Sequence, residues 1–213
     1  ITTLAILEDK SQKSFNLGTG YGHIALASED IYKYCDNVTK NGGSVPRKPG
    51  PMGGGTTHIA FLEDPEKKKV ELVQRDSTWK TPLLHLMLRI GDLKDIDFYT
   101  KVLGMKLLRS TDIPKYKFSL HFVGYTDEKS GTVLELTYNY GTASYDLGDT
   151  YSHLCITSPD LDKFYKNIVA NHSGVITQKM YKNNGVPSFD VIDSTGYRVT
   201  IVSEKEYLDD KYN

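Results

Sequence analysis

Three segments of this chain open alike: Gly22-His23-Ile24-Ala25-Leu26, Leu84-His85-Leu86-Met87-Leu88 and Ser152-His153-Leu154-Cys155-Ile156. Each strand-like run leads into an amphipathic helix whose apolar and aromatic residues recur at helical spacing. These helices are predicted over 29–41 (Ile31, Tyr34, Val38), 93–103 (Ile96, Tyr99, Leu103) and 159–171 (Leu161, Phe164, Ile168). Gly42, Gly104 and Gly174 follow them, where a left-handed residue is wanted to end a helix. A repeat of this kind constrains the fold strongly, because each unit must bury its apolar face against a neighbouring copy.

Strand-like runs complete each unit. In the middle copy they fall at 105–111, 118–125 and 132–138, and in the last at 175–181, 188–193 and 197–203. The first copy shows only 57–63 and 69–75, and its Pro46–Gly55 stretch predicts a flexible loop in place of a strand. The pattern is βαβββ, giving an α+β fold of repeated modules at 21–80, 83–148 and 149–213, with curved mixed sheets around a cleft. Residues 1–20 align with the end of the middle copy. Phe15-Asn16-Leu17-Gly18 falls on Tyr145-Asp146-Leu147-Gly148, and Thr3-Leu4-Ala5-Ile6-Leu7 on Val133-Leu134-Glu135-Leu136-Thr137. They are expected to be the tail of an incomplete preceding module. The chain begins without Met or a basic leader, so it is expected to be a processed or trimmed piece.

Within the repeat, His23 precedes Glu71 by 48 residues (71 − 23) and His85 precedes Glu135 by 50 (135 − 85). In the third copy His153 has Thr200 at the matching position. Side chains alternate faces along a strand, so His85, Met87 and Arg89 share one face, as do Glu135, Thr137 and Asn139. If two modules curve around one cleft, two imidazoles and two carboxylates converge there, a donor set suited to an open catalytic metal site. His58, His121 and His172 lack such partners and are expected to be structural or superficial.

Composition narrows the classes. Lys plus Arg number 26 against 27 Asp plus Glu, a net charge of −1, which argues against nucleic-acid binding. No apolar run approaches the roughly 20 residues that span a bilayer. Two cysteines, Cys35 and Cys155, are too few for a disulfide scaffold, so buried thiols in a reducing compartment are expected. That compartment is the cytoplasm, or a plastid or apicoplast if a transit peptide has been removed.

The segments Leu84 to Leu93, Asp97 to Met105 and Val133 to Asn139 resemble glyoxalase I (lactoylglutathione lyase), of the vicinal oxygen chelate superfamily. Tyr21 to Leu26 and Gly54 to Phe61 are similar to the second half of the same enzymes. The tandem form with four modules per chain is the one most resembled. The resemblance implies one divalent metal ion per chain on His23, Glu71, His85 and Glu135. The absence of long insertions points to nickel first, with zinc or cobalt as alternatives. It also implies glutathione as cosubstrate and isomerisation of its methylglyoxal hemithioacetal to S-lactoylglutathione. Glu71 would be the main base and Glu135 a ligand and second proton carrier.

Arg89 and Asn139 match positions that grip the γ-glutamyl end. Arg47 and Lys48 precede the glycine-rich loop Gly50–Gly55, a candidate lid and substrate contact. A second centre would be degenerate, since Thr200 and Ala5 replace its two carboxylates. Two features depart from the family pattern: Gly53, where a lysine is usual in short forms, and the turn Asp64-Pro65-Glu66-Lys67-Lys68 in place of Asp-Pro-Asp-Gly. Lys67-Lys68-Lys69 is expected to be a solvated turn. A homodimer, or association with the incomplete module, would cover the third module. The competing readings are an inactive relative that binds glutathione conjugates or a partner, and a different reaction on the same fold, such as ring-cleaving dioxygenation or thiol transfer. The dioxygenases use two histidines and one carboxylate, so a fourth donor at Glu71 argues against them.

Overall fold

The computed structural model describes residues 4, 14–53 and 55–212. The first module consists of β1 (Tyr21–Ser28), α1 (Ile31–Lys40), β2 (Ser44–Pro51), β3 (His58–Glu63) and β4 (Lys69–Gln74). The second has β5 (Leu83–Ile90), α2 (Asp95–Asp97, continued by a π-helical turn Phe98–Val102), β6 (Lys106–Ile113), β7 (Phe118–Gly124) and β8 (Val133–Asn139). The third has β9 (Leu154–Ser158), α3 (Leu161–His172), β10 (Ile176–Asn183), β11 (Val186–Ile192) and β12 (Arg198–Ser203), and α4 (Glu204–Tyr212) follows. α1 and α3 begin alike. Asp30 and Asp160 each accept a bond from the backbone N–H three residues on, at 2.9 Å in both cases, which satisfies an otherwise unpaired helix donor.

The first two modules share one eight-stranded sheet, ordered β2-β3-β4-β1-β5-β8-β7-β6. They join through the antiparallel pair β1–β5, while β1–β4 and β5–β8 run parallel. The third module forms a separate four-stranded sheet, β10-β11-β12-β9. The back of the second module and the third module share the largest core, which includes Leu88, Tyr99, Leu136, Ile168, Phe189 and Ile201.

Four expectations need correction. Gly174 is not a left-handed residue after α3 but lies within a short 3-10 turn, Ser173–Val175. Residues 44–51 are a strand and not a flexible loop. Pro46 and Pro49 are accommodated because β2 is an edge strand with an irregular register, where missing ladder donors cost little. The second helix is mostly a π turn. Its wider winding lets the adjacent aromatics Phe98 and Tyr99 both face the core, at 7% and 0% exposure. Cys155 is exposed, while Cys35 is buried, and the two are not joined. The segment Thr3–Leu7, except Leu4, lies outside the described residues, and so does Ala5. The aligned turns at 15–18 and 145–148 clasp each other. Thr19 and Gly20 N–H donate to Asp146 O, and Asp149 N–H donates to Asn16 O.

A buried acidic pair ties the second and third modules together. Asp95 accepts from Ser194 N at 3.0 Å and from Thr195 Oγ1 at 2.6 Å, and also from Ser194 Oγ. Asp193 accepts from Tyr99 Oη at 3.0 Å and from Gly196 N and Tyr197 N at 2.8 Å. Burial, and then the Asp95 charge, push the Asp193 carboxyl up to about 6. A carboxyl raised in the folded state stabilises the fold fully below its unfolded value of 3.8, and that contribution is lost as pH rises through about 6. The swing is about 3 kcal/mol. Asp193→Asn keeps an acceptor for both N–H groups and removes the titration. Urea unfolding should therefore show the variant losing less stability than the parent between pH 4 and 7. An unchanged pH slope would contradict this.

Candidate metal centre

The register of the large sheet sets the centre. Ala25 of β1 stands opposite both Glu71 of β4 and His85 of β5. In the neighbouring row, His23 of β1 pairs with Met87 of β5, and Met87 with Glu135 of β8. Glu71, His85, His23 and Glu135 therefore occupy two adjacent rows near the β1–β5 junction. All four are buried, at 6–8% exposure. One donor atom from each lies within 4.8 Å of the others.

The distances suit a small cation. His23 Nε2 is 3.4 Å from His85 Nε2, Glu71 Oε2 is 3.4 and 3.2 Å from the two imidazoles, and Glu135 Oε2 is 3.1 Å from His85. Donors about 2.1 Å from one divalent ion stand about 3.0–3.4 Å apart in adjacent positions. The residues therefore fit such an ion. Burial alone would push the Glu71 carboxyl up, but hydrogen bonds from His23 and His85 prevail and hold it at about 2. Burial would likewise lower His85, but Glu135 and Glu71 prevail and raise it to about 9. Phe61 and Phe122 meet the His23 and His85 rings edge-on, at 5.3 and 5.6 Å, and fix their planes. The His…Glu spacing alone does not reveal this matched pair of aromatics, but the repeat carries its signal, since each lies opposite the glutamate of its module on the antiparallel neighbouring strand.

The two glutamates differ. Glu135 has both oxygens engaged, Oε2 by His85 and Oε1 by the Thr137 hydroxyl at 3.3 Å. Glu71 has Oε2 facing the two imidazoles.

The cleft also has unlike ends. At one end lies a cavity of about 350 Å³ whose lining includes Tyr21, Arg89, Asn139 and Lys67–Lys69. Arg89 and Asn139 stand four residues beyond His85 and Glu135, so they share the donors' face. Arg89 Nη1 donates to Thr19 O and Tyr21 O, and Asn139 Nδ2 to Tyr145 Oη. The corresponding positions at the other end, four beyond His23 and Glu71, are Ala27 and Arg75. Arg75 lies over Trp79 at 4.4 Å, and only about 30 Å³ remains open beside His85.

Other expected residues lie apart. Arg47 packs over Phe61 at 6.0 Å and donates to Pro51 O. Lys48 is exposed on the edge strand β2, and neither residue lines the cavity. Gly50 belongs to β2, and the loop after it is a hairpin tip, with Met52 N–H bonded to Thr57 O. His121 is held by Ser110 and Ser119, and His58 meets Tyr32. In the third module, Thr200 and Asp190 are buried on paired strands and His153 is near Arg198, but no second metal-like group occurs among the described residues. No described helix is long and apolar enough to cross a membrane.

A model of the Glyoxalase/Bleomycin resistance protein/Dioxygenase superfamily matches residues 3–72 and 83–201. A lactoylglutathione lyase of Arabidopsis thaliana is 38% identical over 201 residues, covering 92% of this chain and 71% of that protein. The lactoylglutathione lyase of Escherichia coli O157:H7 is 43% identical over 126 residues, covering 58% of this chain and 93% of that one. The crystal structure of glyoxalase I from Zea mays superposes with a TM-score of 0.87 at 39% identity, over 92% of this chain and 72% of that one.

Proposed function

This chain belongs to the Glyoxalase/Bleomycin resistance protein/Dioxygenase superfamily and, within it, to the lactoylglutathione lyases, and from that membership we propose how its residues work as a metal-dependent glyoxalase I. The substrate is the hemithioacetal of methylglyoxal and glutathione, and the product is S-lactoylglutathione. One observation carries the reading: four buried donor atoms lie within 4.8 Å of one another, on the same strands that carry Tyr21, Lys69, Arg89 and Asn139 to the 350 Å³ cavity. His23, His85, Glu71 and Glu135 hold one divalent ion. Nickel is our first assignment, with zinc or cobalt as alternatives. The ion, when bound, supplies Lewis-acid stabilisation of the oxygen anion that forms as the carbon-bound proton leaves.

The chain's own groups move that proton. Glu71 takes it from the hydroxyl-bearing carbon and returns it to the adjacent former carbonyl carbon, while the hydroxyl proton passes to the former carbonyl oxygen, so the substrate isomerises with no net gain or loss of atoms. Glu71 is the better-placed base, because Glu135 has both oxygens engaged. Arg89 and Asn139 bind the γ-glutamyl end at the open side, and their orientation sets the reacting carbons at the centre. The direct test is thioester formation from methylglyoxal and glutathione by metal-reconstituted protein. Absence of turnover in fully metal-loaded protein would contradict the proposal.

The closed end faces the small aldehyde substituent. Trp79→Ala removes the ring beneath Arg75 and widens the space beside His85. The ratio of kcat/KM for phenylglyoxal over methylglyoxal should then rise about tenfold. An unchanged ratio would place the substituent elsewhere.

A further inference from the structure

We propose that the turn Lys67-Lys68-Lys69 is a selecting wall for a thiol with free carboxylates. It discriminates against thiols whose carboxylates are capped as amides or carry a cationic chain. The inference rests on the glyoxalase I reading of the same cleft. The turn joins β3 to β4 and lines the 350 Å³ cavity together with Arg89 and Asn139, so four cationic residues and no acidic residue line that space. The backbone closes the turn without help from the lysine side chains. Asp64 N–H donates to Lys68 O, Lys67 N–H to Asp64 O, and Lys68 N–H to the Asp64 carboxylate at 2.8 Å.

Lys67 stands at φ 69°, in the left-handed region where glycine is the unstrained choice. A residue held in that region is a reason to look for a role of its side chain. Its ammonium has only a loose contact with Glu63, at 3.5 Å, and its side chain is 67% exposed. Lys68 is engaged by Glu66 at 2.6 Å. Lys69 is exposed, has no ion pair among the described residues, and stands two residues before Glu71, on the face of β4 that carries the centre. Arg89 carries a single positive charge, so it cannot alone neutralise two carboxylates, and its Nη1 is already engaged by two backbone carbonyls. Lys67 and Lys69 supply the remaining charge at the mouth. The interaction is screened, so it acts on binding and not on the proton transfer.

The test uses Lys67→Gly, which suits the observed φ and so preserves the turn, Lys69→Gln, and the double variant. KM and kcat are measured with the methylglyoxal adducts of glutathione and of glutathione amidated at its glycine carboxylate. Binding of S-methylglutathione is measured by calorimetry at low and high salt. The double variant should raise KM for the glutathione adduct about tenfold with kcat nearly unchanged. The amidated adduct should change much less, and the salt dependence of binding should shrink. Unchanged KM and binding, or equal losses for both thiols, would overturn the wall. S-methylglutathione binding needs no turnover. If the protein proved inactive but its binding still weakened in the double variant, the reaction would fall and the wall would stand.

Discussion

Glu71→Gln should lower kcat by roughly 10²–10⁴-fold while leaving the fold intact, the range expected on losing a positioned general base. Glutamine matches the shape of glutamate, so the contacts of Oε2 with His23 and His85 can persist through the amide oxygen. What disappears is the capacity to carry a proton between two carbons. The informative companion is Glu135→Gln. Because both Glu135 oxygens are engaged, by His85 and Thr137, that change should act mainly on metal retention. Circular dichroism, metal content and kcat on the two variants separate these roles. Wild-type rates in Glu71→Gln, or an equal kcat loss in fully loaded Glu135→Gln, would refute the assignment of the base.

Removing the metal should be the other large effect. A ligand that binds only the native state at about a thousand times its Kd stabilises by about 4 kcal/mol. For a chain of this size that corresponds to about 10 °C in Tm. Chelator-treated protein should lose all turnover, melt about 10 °C lower, and recover both on adding nickel, zinc or cobalt. In the metal-free state His85, raised to about 9 by Glu135 and Glu71 against the effect of burial, carries a proton that competes with the ion. Metal affinity should therefore climb with pH until about 9 and weaken below it. A Tm and rate that ignore chelation would contradict a metal-held centre.

Much of this arrangement is legible in the residues. Two histidines and two glutamates at matched repeat positions imply a shared cleft, because alternation along β5 and β8 fixes which residues share a face. The strand–helix–strand order follows from periodicity and from glycines such as Gly42 and Gly104, which sit at φ 79° and 75° after their helices. Proline content misleads at β2, where edge position overrides propensity. The π turn at Phe98 and the exposure of Cys155 depend on how modules pack, which local pattern does not encode. Lys67–Lys69 look like an ordinary charged turn until the β3–β4 connection is placed beside Arg89. The unlike ends of the cleft are also written in the repeat. Extending the repeat four residues past each donor gives Arg89 and Asn139 at one end, and Ala27 and Arg75 at the other.

On the proposed reading, one divalent ion held by His23, Glu71, His85 and Glu135 is required for turnover of the glutathione hemithioacetal. Titrating nickel into metal-free protein while following thioester formation tests it most directly. Activity should rise linearly to one equivalent per chain and then stay flat. Turnover without metal, a plateau at two equivalents, or no turnover at full loading would contradict it.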